Sequence, residues 1–252
     1  MLKDSESLRR VAGEATGARS LVIATTHVHA RYILLGIIQR FKQRFPQVRL
    51  AIKQGTPDQI AQWVDAGEAD FGLSTPSALK HPDLIALPCF LLGRCVLVAA
   101  GHPLLRSRGK LTLAQLAKHP LIALDSGFAS GVTILETFQA AGLSVDVVLT
   151  ATDSDVIKAY VAAGLGVGTP PSIAFDSKRD RDIRLIGARH LFSSSLSYLW
   201  IHKHYHLPSH VAEFISLLSP KWPKEAVIEA MHSEMTAGKE MAIELAGSVD
   251  LH

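Results

Sequence analysis

SLVIATTHVHARYILLGIIQRFKQRF, residues 20–45, decides the fold class of this 252-residue chain. Leu21, Val22, Ile23 and Ala24 form a short apolar run, rich enough in β-branched residues for a buried strand. Thr25, Thr26 and His27 follow, and then a helical pattern begins. Tyr32, Leu35, Ile38, Phe41 and Phe45 recur at steps of three and four, with Arg40, Lys42 and Arg44 on the other side. Pro46 disfavours the helical conformation in the residue before it and ends the helix. A strand that ends in hydroxyl residues at a helix start sets side-chain donors beside unpaired backbone N–H groups. Open α/β sheets hold anions and small polar ligands at such places. The simpler alternative is a threonine cap with no ligand.

The same unit recurs downstream. Residues 48–53 alternate as a half-buried strand. Thr56, Pro57 and Gln59 then form a capping box with proline at the first helical position. That helix turns Ile60, Trp63 and Val64 inward and ends near Gly67. Residues 69–74 form the next strand, which runs into Thr75-Pro76, so threonine again stands at a strand's carboxyl edge or a helix start. Further on, strands are expected at 94–100, 121–124, 145–149 and 193–202, with a glycine-interleaved one at 164–168. Helices are expected at 132–141, 156–163 and 209–218, and helical composition continues from Trp222. Between 124 and 132 lies Asp125-Ser126-Gly127-Phe128-Ala129-Ser130-Gly131, a loop of mostly small residues whose backbone can approach a ligand closely. Thr152, Asp153, Ser154 and Asp155 cap the next helix with acidic residues in its first turn. The pattern predicts an α/β protein of two Rossmann-like subdomains. They are joined by two crossing strands, near 93–96 and 196–199, with a ligand cleft between them.

Composition narrows the function. Lys and Arg number 26 against 23 Asp and Glu, a formal net charge of +3, too weak to argue for nucleic-acid binding by charge alone. The first residues lack the apolar segment of a signal peptide, and no apolar run approaches the ~20 residues that span a bilayer. A cytoplasmic protein with no membrane role is expected. Cys89 and Cys95 form no CxxC pair and are expected to be buried, structural thiols. His202, His204, His206 and His210, like His27 with His29, could suggest a metal, but no further ligand completes a recognisable set. No metal and no cofactor are expected. No GxSxG, HExxH or paired-carboxylate pattern appears, so an enzyme is not expected.

ATTHVHARY (24–32), QGTPDQIAQWV (54–64), GEADFGLST (67–75), GHPL (101–104), ATDSDVIKAYVAAGLGVG (151–168) and RHLF (189–192) together carry a resemblance. In order and spacing they resemble the effector-binding domain of LysR-type transcriptional regulators, nearest to the CysB- and Cbl-like branch concerned with sulfur assimilation. The resemblance covers roughly residues 5 to 220 and implies a type II periplasmic-binding-protein-like fold. It implies a remnant of a linker helix at 1–17, subdomain I at 18–94 and 197–225, subdomain II at 95–196, and a C-terminal helical extension at 226–252. It also implies a small anionic effector of the sulfate, thiosulfate, adenylyl-sulfate or acetylserine type, bound in the cleft. DNA would be contacted only through an N-terminal winged helix-turn-helix that is missing here.

Residue by residue, the resemblance places an anion site at Thr26 and Thr75. The branch's usual ATTHTQ is ATTHVH here, so Val28 replaces a hydroxyl and His29 an amide. In the opposing loop Ser130 is the candidate substitute for the usual hydroxyl. A helix-surface position is the alternative for His29. The ligand-binding set is Thr25, Thr26, His27, His29, Gly55, Thr56 and Thr75, with Ser126, Ser130, Thr152 and Asp153 from the second half. The family's pairing implies a homodimer or homotetramer. The expected contact is the helix at 32–45, with Ile33, Leu34 and Ile37 left over for it, against that at 132–141. A stand-alone solute-binding protein for a small anion is the alternative function.

Overall fold

The computed structural model describes residues 19–232, with the side chains of Ala129 and Ser130 left aside. The linker helix expected at 1–17, and everything beyond 232, lie outside the described residues. The chain divides into two compact units. One runs through Leu87 and resumes at Leu199; the other spans Pro88–Tyr198.

The first unit carries β1 (Ser20–Thr25), β2 (Arg49–Gln54) and β3 (Phe71–Ser74). With β4 (Leu84–Leu92) and β10 (Ser195–His202) they make a five-stranded sheet in the order β2-β1-β3-β10-β4. β1 pairs in parallel with β2 and with β3, Thr25 facing Gln54 on one side and Leu73 on the other. Parallel pairing requires crossover helices. These are α1 (Leu34–Arg44), entered through a π-helical turn at His29–Ile33, and α2 (Pro57–Asp65). Ile60 and Val64 of α2 pack with Ala24 and Ala69 under one face of the sheet. Phe214, from α6 (Ser209–Leu218), meets Phe41 at 5.1 Å and Phe71 at 5.7 Å between ring centroids. The shared Phe214 ties α1, α6 and β3 into a second buried cluster. α7 (Lys224–His232) follows.

The second unit repeats the plan, with sheet order β7-β6-β8-β5-β9. Its strands are β5 (Cys95–Ala99), β6 (Leu121–Leu124), β7 (Val147–Ala151), β8 (Val167–Gly168) and β9 (Ile183–Gly187). α3 (Leu113–Leu116), α4 (Ala129–Ala140) and α5 (Ser154–Ala162) connect them. Val96, Ala123 and Val167 point to one core with Ile134, Phe138 and Phe192. Cys95, Leu97 and Ile122 point to the other with Ile157 and Val161. That alternation is the period-two signature of a sheet covered on both faces. Among the described residues no helix is long and apolar enough to cross a membrane.

Three sequence expectations change. The inward stripe of α1 is Leu34, Ile37 and Phe41, not the stripe through Tyr32, Leu35 and Ile38, and Leu35 is 56% exposed. The π-helical turn holds one residue more than an α-turn, which rotates the following helix by about 100° relative to an uninterrupted one. Leu34 and Ile37 are therefore core, and Leu35 takes their place as the apolar residue left over. Secondly, no helix follows β3: Thr75-Pro76 opens a loop in which Asp58 accepts hydrogen bonds from Ser77 Oγ and Ala78 N–H. Thirdly, β4 and β9 were not foreseen. Pro88 lies inside β4, and proline reads as a strand breaker, but β4 is an edge strand, where a missing N–H costs nothing.

Candidate functional site

The parallel register gathers the carboxyl ends of β1, β2 and β3 on one edge of the first sheet. Thr25 is fully buried, and its hydroxyl donates to the Leu73 carbonyl at 2.9 Å, so its proton is spent tying β1 to β3. Thr26 is the first residue past the strand, with its carbonyl accepting from Ala30 N–H at 3.0 Å as the helix begins. Its Oγ1 lies 2.6 Å from Nδ1 of His29, and both side chains are buried. His29 is thus not on a helix surface. Burial pulls its pKa down to about 4, so near neutral pH the imidazole is uncharged and shares a proton with Thr26. His27 is half-buried in the first turn. The turn itself is π-helical, with Leu34 N–H reaching back to the His29 carbonyl, a rare geometry that recurs at functional sites.

The neighbouring strand ends supply the rest. Gly55 N–H donates to the Thr25 carbonyl at 3.2 Å. A Cβ on Gly55 would stand 2.6 Å from the Trp63 ring, so glycine there serves the packing of Trp63. Thr56 caps α2 by accepting from Gln59 N–H, and the Gln59 side chain accepts from Thr56 N–H at 2.9 Å, completing the expected capping box. Thr56 therefore has a structural task already. Thr75 stands half-buried just beyond β3. Before it, Ser74 is fully buried; its Oγ donates to the Thr75 carbonyl and accepts from Trp200 Nε1 at 2.9 Å. Sequence reasoning missed Ser74 and Trp200, because only the β3–β10 pairing brings them together.

In the second unit, Ser126 and Thr152 are exposed at the carboxyl ends of β6 and β7. Ser130 lies in the first turn of α4, its side chain outside those described. Asp153 caps α5, accepting from Val156 N–H at 2.8 Å. A carboxylate already occupying a helix N-terminus repels an anion there, which argues against Asp153 as an anion ligand. Two residues not foreseen are more telling. Arg94 and Thr169 are 3% and 2% exposed, and among the described residues Arg94 Nη1 and Thr169 Oγ1 have no hydrogen-bond partner.

The histidines at 202–210 border a cavity of about 980 Å³ at the opposite, amino-terminal edge of the first sheet. Asp65, Asp83 and His202 bring their ligand atoms within 4.8 Å of one another. However, Asp83 is ion-paired to Lys203 at 2.5 Å, and Nδ1 of His202 accepts from His204 N–H at 3.2 Å. That bond keeps the ring proton on Nε2, where a metal would need a lone pair. His210 is buried and bonded to the Ser20 carbonyl at 3.1 Å. Cys89 and Cys95 are buried and not joined in a disulfide, and burial pushes the Cys95 thiol up to about 12.

Comparison with known proteins gives this geometry its context. The family described as the LysR substrate binding domain matches residues 14–223. The HTH-type transcriptional regulator CysB of Burkholderia cenocepacia is 42% identical over 236 residues, covering 93% of this chain and 75% of that protein. The regulator SsuR of the same organism is 41% identical over 222 residues, 87% of this chain and 72% of SsuR. The cofactor-binding domain of the Cbl transcriptional regulator superposes with a TM-score of 0.80 at 36% identity, over 86% of this chain and 95% of that one.

Proposed function

The chain belongs to the LysR substrate-binding domain family, related to the regulators CysB, SsuR and Cbl, and from that premise we propose that it senses a small anion of sulfur and cysteine metabolism. The effector class is sulfate, thiosulfate, adenylyl-sulfate or acetylserine, and binding controls transcription of genes for sulfur and cysteine metabolism. The role is regulatory rather than enzymatic, and cytoplasmic, where DNA is reached through a helix-turn-helix domain. The observation that carries this reading is the buried Thr26–His29 pair, held by a π-helical turn at the carboxyl edge of a parallel sheet, with Thr75 one strand away. A hydroxyl beside the first free N–H groups of a helix suits an oxyanion. Self-association, as in LysR regulators generally, would use the exposed Leu35 face of α1 and the partly exposed Val132 on α4.

A thermal-shift screen of the chain against sulfate, thiosulfate, acetylserine and sulfonates tests the reading. A ligand at a hundredfold its Kd adds about 2.7 kcal/mol, which for a chain of this size raises Tm by roughly 5–10 °C. No rise with any of these compounds, against chloride at matched ionic strength, contradicts it.

A further inference from the structure

Arg94 is a buried guanidinium whose Nη2 donates to Ser195 Oγ at 2.9 Å, while its Nη1 meets no acceptor among the described residues. Nearby acceptors are already used. The Gly93 carbonyl takes both the N–H and the hydroxyl of Ser172, at 2.9 and 3.1 Å, and the Pro170 carbonyl takes Cys95 N–H at 3.3 Å. Pro170 and Pro171 bring no N–H donors of their own to this corner. Among the described residues no carboxylate acts on Arg94, and the Cys95 thiol beside it is neutral at ordinary pH. A buried charge left without a counter-charge is strongly unfavourable, so something must pair it.

The strand register supplies a second donor. β5 and β8 pair antiparallel with Leu97 opposite Gly168, and the isolated bridge Arg94–Pro171 continues that register. Val96 therefore stands opposite Thr169. Arg94, two residues before Val96, emerges on the same face as Thr169, at the diagonal cross-strand spacing of about 7 Å. Thr169 Oγ1 is the other buried polar atom of this face without a partner. Two unused hydrogen-bond donors, one of them cationic, thus share one end of one sheet face.

We propose that Arg94 and Thr169 form an oxyanion subsite in the second unit, both donating to oxygens of a sulfur oxyanion. The inference deepens the anion-sensing reading and rests on it for the ligand class. A bound dianion supplies the acceptors and the negative charge that the described residues do not place beside Arg94.

The test is calorimetric titration of the full chain with sodium sulfate, using sodium chloride as the ionic-strength control, on the parent, Thr169→Val, Arg94→Lys and Thr26→Ala. Thr169→Val is isosteric and removes only the unused hydroxyl, so it is the variant expected to fold whatever Arg94 does. Loss of about tenfold or more in sulfate affinity in both Thr169→Val and Arg94→Lys is the expected result. A purely structural Arg94 would lower Tm equally in sulfate and chloride and leave Thr169→Val binding like the parent, which overturns the subsite. If Thr26→Ala alone weakens binding, the subsite falls while the anion-sensing reading stands. A parent chain that binds no sulfate or thiosulfate overturns both.

Discussion

Oγ1 of Thr26 lies 2.6 Å from Nδ1 of His29, and neither side chain is more than 6% exposed. The direction of that bond decides what Thr26 offers a ligand. If Nδ1 carries the ring proton, it donates to Oγ1 and the hydroxyl proton is free to point elsewhere. If Nδ1 is bare, the hydroxyl must donate to it and presents only lone pairs, which repel an anion. An anion at Thr26 therefore selects the Nδ1–H tautomer. In the proposed site His29 would thus act as a positioning group for the threonine.

The same pair makes stability depend on pH. The folded-state pKa of His29, about 4, lies below its ordinary 6.5, so the unfolded chain binds more protons between those values. Stability is fully present above about pH 6.5 and falls as the pH drops toward 4, by ~3 kcal/mol from this residue. Urea midpoints measured from pH 4 to 7.5 on the parent and on His29→Gln check this. The parent's steeper loss below pH 6.5 should be absent from the variant.

Cys95 and Cys89 are buried, and the Cys95 thiol is pushed up to about 12, so the thiolate needed for reaction is scarce. Treatment of the native chain with a thiol-reactive disulfide at pH 8 should label neither cysteine within minutes. The same reagent in concentrated guanidinium should label both. Rapid labelling of native Cys95 contradicts the packing described.

Gly166 precedes β8 where a Cβ would stand 2.5 Å from the Pro120 carbonyl oxygen, a backbone atom that cannot swing aside. Gly166→Ala should destabilise the chain by ~1–3 kcal/mol, the usual cost of overpacking, as a lower denaturant midpoint at unchanged slope. Gly101 has open space around its Cβ direction and serves as the control. Gly101→Ala should be close to neutral.

Much of this fold was legible because local chemistry and global packing agree. The Thr56-Pro57-Gln59 cap is a contiguous signal, and α6 begins and ends at Ser209 and Leu218, as its apolar spacing indicates. The phase of α1 was not legible. Two apolar stripes compete along it, and the π-helical turn that selects between them has no sequence mark. The site shows the same division. Thr26 and Thr75 could be singled out from the strand ends and the family motifs, whereas the burial of His29 could not. Arg94 and Thr169 are 75 residues apart in sequence, and only the β5–β8 register sets them on one face. Nothing in their flanking residues announces that either lacks a partner.

Leu35, left exposed by that helix phase, gives a test of self-association. Leu35→Glu should shift the sedimentation of the chain toward monomer at micromolar concentration without changing its circular dichroism. A parent that sediments as a monomer at the same concentration contradicts the assignment of this face.

The central claim is that the carboxyl edge of the first sheet holds a small anionic effector through Thr26 and Thr75. Isothermal titration of the parent, Thr26→Ala and Thr75→Ala with thiosulfate and with acetylserine tests it most directly. Each lost hydrogen bond to a charged ligand should weaken binding by ~1.5–3 kcal/mol, while far-ultraviolet dichroism and Tm in ligand-free buffer stay near those of the parent. Binding by both variants as tight as by the parent would place the site elsewhere.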